Sequence, residues 1–138
     1  MSKLAAPESI KDVDPTTDSC SGEQPCVIIV EDNHLLASTL VDVLAELGYT
    51  RVDVESSFRG AMAAAENAMC ELAVVELHLR GESAFPILDK LIPRGIPYIL
   101  ATCAARTDIP AIYSSAPFIR KPYDIEQLRK AIVECTAR

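Results

Sequence analysis

Three short apolar runs, each closed by a charged residue, constrain this chain more than any other feature. Val27-Ile28-Ile29-Val30 ends in Glu31 and Asp32, Ala73-Val74-Val75 ends in Glu76, and Phe118-Ile119-Arg120 is followed by Lys121. The first two runs lack the alternation of a half-solvated strand, so they read as strands of a parallel sheet covered by helices on both faces. In an open α/β sheet, ligands bind beyond the carboxyl ends of the strands. A carboxylate placed there is costly unless a metal, water or a cation meets it. Three acids and a lysine, placed just past three separate strands, therefore predict one shared site. The stretch ELAVVELHL at 71–79 lies at its centre.

Between these runs the pattern changes to helical. Asn33 is placed to cap a helix running to about Leu47, with Leu36, Leu40, Val43, Leu44 and Leu47 on one face and Gly48 as its stop. Arg51 to Val54 reads as a second strand. Ser56 or Ser57 caps an alanine-rich helix to about Met69. After the central strand, Arg80-Gly81-Glu82 turns the chain into a third helix, about 84–91. Pro86 is in its first turn, and Phe85, Leu88 and Leu91 or Ile92 form its buried stripe. Ile96 to Ala101 is the fourth strand, ending at Thr102. A helix should link it to the next parallel strand. Pro110 and Ser114-Ser115 leave room over 103–116 for only a short, mobile fourth helix or an irregular loop. Pro117 to Arg120 is the fifth strand. Asp124 with Gln127 forms a capping box for a last helix to about Cys135, with Ile125, Leu128 and Ile132 facing inward. The order βαβαβαβ(α)βα implies a parallel sheet with right-handed crossovers.

At 138 residues and 49% hydrophobic content, the chain suits one domain with a real core. Residues 1–25, with Pro7, Pro15 and Pro25 among small polar residues, read as a disordered tail, leaving 26–138 as the domain. No apolar run approaches the roughly 20 residues of a membrane span, and no signal pattern opens the chain, so a cytoplasmic location is expected. The net charge of −7 argues against direct nucleic-acid binding. Cys20, Cys26, Cys70, Cys103 and Cys135 have neither zinc nor disulfide-framework spacing and read as reduced structural residues, Cys20 being the most exposed. His34 and His78 have no partner spaced for a ligand or catalytic pair and read as bystanders. A flavin or nucleotide site is disfavoured, because Glu31 and Asp32 stand where a phosphate loop would be.

The segments VIIVEDN at 27–33, VVELHLRGE at 74–82, PYILAT at 97–102 and APFIRKP at 116–122 resemble, in order and spacing, the receiver domain of two-component response regulators. The resemblance covers everything but the tail. It implies a flavodoxin-like (βα)5 three-layer sandwich with parallel sheet order 2-1-3-4-5. LRGE and PYILAT are also similar to the stand-alone branch marked by Phe-Ala-Thr-Gly after strand four, although this chain has Leu100-Ala101-Thr102-Cys103 there. By resemblance, Glu31, Asp32 and Glu76, with the backbone carbonyl of His78, would hold Mg²⁺, a cation that takes hard oxygen ligands. Thr102 would bond a phosphoryl oxygen and Lys121 would pair with it. Phe118 would be the aromatic that moves inward on activation. The Lys121-Pro122 bond would be cis, a geometry largely confined to proline.

The departure from the family lies at the centre. Glu76 occupies the position of the phosphoacceptor aspartate, and its extra methylene carries the carboxylate about 1.5 Å further from the backbone. Misplacement on that scale costs on the order of a hundredfold in rate. The longer arm can instead bring charge toward Thr102 and Lys121, as a partial mimic of the phosphorylated state. The expected function is that of a single-domain receiver in a phosphorelay, not an enzyme, with no output domain on this chain. A histidine kinase or phosphotransferase would be one partner. A downstream signalling protein would bind the face built from the fourth helix, fifth strand and fifth helix. The alternatives are a degenerate adaptor with an inert pocket and a receiver still phosphorylated at Glu76.

Overall fold

The computed structural model describes residues 26–136. Expectations about the tail and about Cys20 lie outside the described residues. In chain order the main elements are β1 (Cys26–Val30), α1 (His34–Glu46), β2 (Arg51–Glu55), α2 (Phe58–Asn67) and β3 (Leu72–Val75). They continue with β4 (His78–Leu79), β5 (Glu82–Ser83), α3 (Phe85–Leu91), β6 (Tyr98–Thr102), β7 (Phe118–Arg120) and α4 (Ile125–Thr136). Five strands pair in parallel in the order β2-β1-β3-β6-β7. Counting only these sheet strands, this is the expected flavodoxin-like 2-1-3-4-5 arrangement.

Side-chain alternation along the central strands divides the core into two layers. Ile28, Val30, Ala73, Val75 and Leu100 pack against Ala61, Ala65, Ile87, Leu88 and Leu91 of α2 and α3. Val27, Ile29, Val74, Ile99 and Ile119 pack against Leu40, Leu44, Leu128 and Ile132 of α1 and α4. Each fully buried leucine contributes roughly 1.5–3 kcal/mol relative to exposure. Continuously apolar β1 and β3 therefore have to sit at the sheet centre, where both of their faces are covered.

The helix signals are realised. The Asn33 side chain accepts from Leu35 N at 3.0 Å and Leu36 N at 3.1 Å. Ser57 Oγ accepts from Gly60 N at 3.1 Å. The capping box is reciprocal: Gln127 N donates to Asp124 Oδ1 at 2.8 Å and Asp124 N to Gln127 Oε1 at 2.9 Å. Gly48 follows α1 at φ 98°, a conformation that costs glycine little. The Lys121-Pro122 bond is cis.

The central strand ends at Val75, as its apolar run indicates, and the Arg80-Gly81-Glu82 turn belongs to an antiparallel β4–β5 hairpin that passes through Arg80 (φ 49°) and Gly81 (φ 87°). Three local expectations are corrected. In α3 it is Ile87, Leu88 and Leu91 that are buried, whereas Phe85 is half-buried and Ile92 lies 41% exposed beyond the helix. In α4, Ile125 is 49% exposed because the first helical residue overhangs the sheet; Leu128, Ala131, Ile132 and Cys135 form the buried stripe. Cys103 is exposed rather than structural, while Cys135 is buried.

Over 103–116 there are two 3-10 turns, Arg106–Asp108 and Ala111–Tyr113. An aromatic anchor fixes the segment: Tyr113 stacks on Phe85 of α3 at 4.8 Å between ring centroids, and its hydroxyl donates to Asp89 Oδ1 at 2.7 Å. Ile109 and Tyr113 fill the core positions that a helix here would have covered.

Candidate functional site

The backbone ladder runs one residue past each of three strands. Glu31 N donates to Glu55 O at 3.1 Å, Glu76 N to Val30 O at 2.9 Å and Lys121 N to Thr102 O at 2.8 Å. These residues are therefore fixed as rigidly as the strands that precede them, at the carboxyl edge of the sheet, Glu31 and Glu76 on neighbouring strands and Lys121 two strands further on. Lys121 starts from the outermost strand, β7, and its long stem carries the ammonium back to β1 and β3. Its Nζ lies 2.7 Å from Glu31 Oε1 and 2.6 Å from Glu76 Oε1.

This triad is secluded. The side chains of Lys121, Glu31 and Glu76 retain 13%, 1% and 8% of their exposure. The second oxygen of each glutamate is also engaged: Glu31 Oε2 accepts from Asn33 N at 3.1 Å and Glu76 Oε2 from His78 N at 3.2 Å. Burial pushes the Glu31 carboxyl up, opposed by its hydrogen bond from Lys121. Burial would pull the Lys121 ammonium down, but the hydrogen bonds to Glu31 and Glu76 outweigh it and leave the group raised. The lysine is therefore charged, and it bridges the two glutamates.

Not every predicted residue joins it. Asp32 is half-buried and turns to the hairpin, its Oδ2 accepting from Arg80 N at 2.9 Å. Thr102 is fully buried beside Lys121, and its Oγ1 accepts from Ala104 N at 3.2 Å. Phe118 is half-buried against the α2–α3 layer. His78 takes part through its backbone N–H, while its side chain is exposed.

One neighbour was missed. Tyr123, just past the cis bond, packs against the α1–α4 layer, and burial first and then the charge of Glu31 push its hydroxyl up. Its hydroxyl oxygen is buried without a hydrogen-bond partner among the described residues. The sequence signal was available, a tyrosine two residues beyond the site lysine, but nothing in its spacing indicated which way the ring would turn.

The chemistry of the donor set, three carboxylates, suits magnesium, but its arrangement does not. Among the described residues no group of three or more His, Cys, Asp or Glu side chains is placed to hold a metal ion. The Lys121 ammonium stands between two of the carboxylates, and the third faces the hairpin.

No protein-family model and no curated protein matches the sequence. Solved structures do. SdrG from Sphingomonas melonis Fr1 is 30% identical, over 80% of this chain and 94% of that one, with a TM-score of 0.69. A CheY-like response regulator receiver domain protein from Methanospirillum hungatei JF-1 is 22% identical, over 83% and 95% of the two chains, with a TM-score of 0.72. The receiver domain of the sensor histidine kinase PA1611 from Pseudomonas aeruginosa PAO1 was solved with magnesium in its active-site cleft. It is 17% identical, over 84% and 100% of the two chains, with a TM-score of 0.71. With these neighbours, with SdrG matched over nearly its whole length, and with acids and a lysine gathered at the carboxyl ends of a 2-1-3-4-5 sheet, the chain belongs to the response regulator receiver domains.

Proposed function

We propose that this receiver serves a two-component phosphorelay as an element that Glu76 holds near its active arrangement. The observation that carries the reading is the 2.6 Å contact between Glu76 Oε1 and Lys121 Nζ. The site lysine already has at position 76 the anion that phosphorylation would otherwise supply. A carboxylate offers about −1 against roughly −1.5 to −2 for a phosphoryl group, so the mimicry is partial.

The work of such a protein is recognition rather than catalysis. It meets a histidine kinase or phosphotransferase at the acid-bearing edge. It presents to a downstream signalling protein the face formed by the 103–116 segment, β7 and α4. Ile112 of the 103–116 segment and Val133 of α4 are 69% and 53% accessible, apolar side chains left for a partner to cover. Bias between two arrangements near Thr102 and Phe118 is the means of output. Among the described residues no helix is long and apolar enough to cross a membrane.

The deciding experiment compares wild type with Glu76→Asp after acetyl phosphate or kinase treatment, read by Phos-tag gel and intact mass. Uptake by the aspartate variant alone is the expected outcome. Equal uptake by wild type would show Glu76 to be a working acceptor and end the mimic reading. Uptake by neither would mark an adaptor with an inert pocket.

A further inference from the structure

The glutamate at position 76 has a consequence for cations, which rests on the receiver reading above. All four oxygens of Glu31 and Glu76 already have a donor: Lys121 Nζ at 2.7 and 2.6 Å, Asn33 N at 3.1 Å and His78 N at 3.2 Å. Asp32 is held by the hairpin through Arg80 N at 2.9 Å. Magnesium demands near-octahedral oxygens at about 2.0–2.1 Å and sheds water reluctantly. To enter, it would have to push the ammonium off both glutamates and turn Asp32 away from the hairpin.

We propose that the Lys121 ammonium is the resident cation of this pocket, and that Glu76 and Lys121 together exclude divalent metal from it. Two opposing effects are in play. Three carboxylates against one ammonium leave a negative cluster that attracts any cation. Against that, the lysine is covalently tethered, so its charge arrives at high effective concentration. It also leaves no set of oxygens converging on a second point. The extra methylene at position 76 makes this possible. Withdrawing that carboxylate by about 1.5 Å would stretch its contact with the ammonium to about 4 Å, beyond hydrogen-bond reach. The ammonium would then be left with Glu31 alone, and a metal could use the carboxylate at position 76.

The test is a MgCl2 titration of the full 138-residue chain, followed by the amide shifts of Glu31, Asp32, Glu76 and Lys121. Wild type is expected to show no saturable shift at millimolar magnesium. Glu76→Asp and Lys121→Ala are each expected to bind it about tenfold or more tighter and to gain thermal stability from it. Should Lys121→Ala fail to fold, Glu76→Asp, which preserves every charge, decides alone. Saturable binding by wild type would overturn the proposal, and so would variants that gain no affinity for metal. Either result leaves the receiver reading intact, because phosphoryl uptake by Glu76→Asp tests that separately.

Discussion

Lys121 takes one oxygen from Glu31 and one from Glu76, so neither acid is simply a solvated strand-end charge. Tyr123 is the contrasting case, a side chain beside the same charges whose hydroxyl no described group engages. A buried hydroxyl left unpaired costs about 1–3 kcal/mol. Tyr123→Phe removes that cost and keeps the ring, so the variant should unfold at the same or higher urea concentration than wild type. A loss of more than about 1 kcal/mol would mean that the hydroxyl has a bridging partner in solution. Pattern could place Glu31, Glu76 and Lys121 at strand ends, since each follows its own apolar run. It could not foresee Asp32 turning to Arg80, because that bond joins residues 48 apart through a hairpin that had read as a plain turn.

Among the elements, the edge strand β2 carries a carboxyl pair on one of its faces. Asp53 and Glu55 are two residues apart and therefore on the same side. Glycine at position 60 leaves room there, since an added Cβ would collide with the Glu55 carboxylate. The hydrogen bond to Asp53, followed by burial, raises Glu55 from 4.5 to about 7. A carboxyl raised in the folded state binds its proton more tightly there than in the unfolded chain. Its contribution to stability is therefore complete below pH 4.5 and lost as pH climbs through about 7. The urea midpoint should fall across that window, and Glu55→Gln should flatten this part of the curve. An unchanged slope in the variant would assign the pH dependence elsewhere. The 103–116 segment shows the limit of propensity at this scale. Pro110 and the paired serines forecast a broken helix. The Phe85–Tyr113 stack and the Tyr113–Asp89 hydrogen bond, which fix the two turns in place, join residues 28 and 24 apart in sequence.

For the molecule as a whole, two apolar layers of described residues clasp one parallel sheet. With residues 1–25 read from their composition as lying outside the domain, removing them should change unfolding free energy by no more than about 0.5 kcal/mol, the range for changes away from the core. A larger loss in chemical denaturation would give that segment a structural role. Sequence by itself determined the strand runs, the helix caps, the covered centre of the sheet and the acids and lysine at its carboxyl edge. These follow from periodicity and chain punctuation, which are local properties. Tertiary structure alone decided that a lysine 90 residues from Glu31 would span two glutamates, that Asp32 would stand aside and that the Tyr123 hydroxyl would be buried without a partner among the described residues. Such choices depend on angles and reaches of a few tenths of an ångström between side chains on different strands, and a linear pattern carries no measure of that distance.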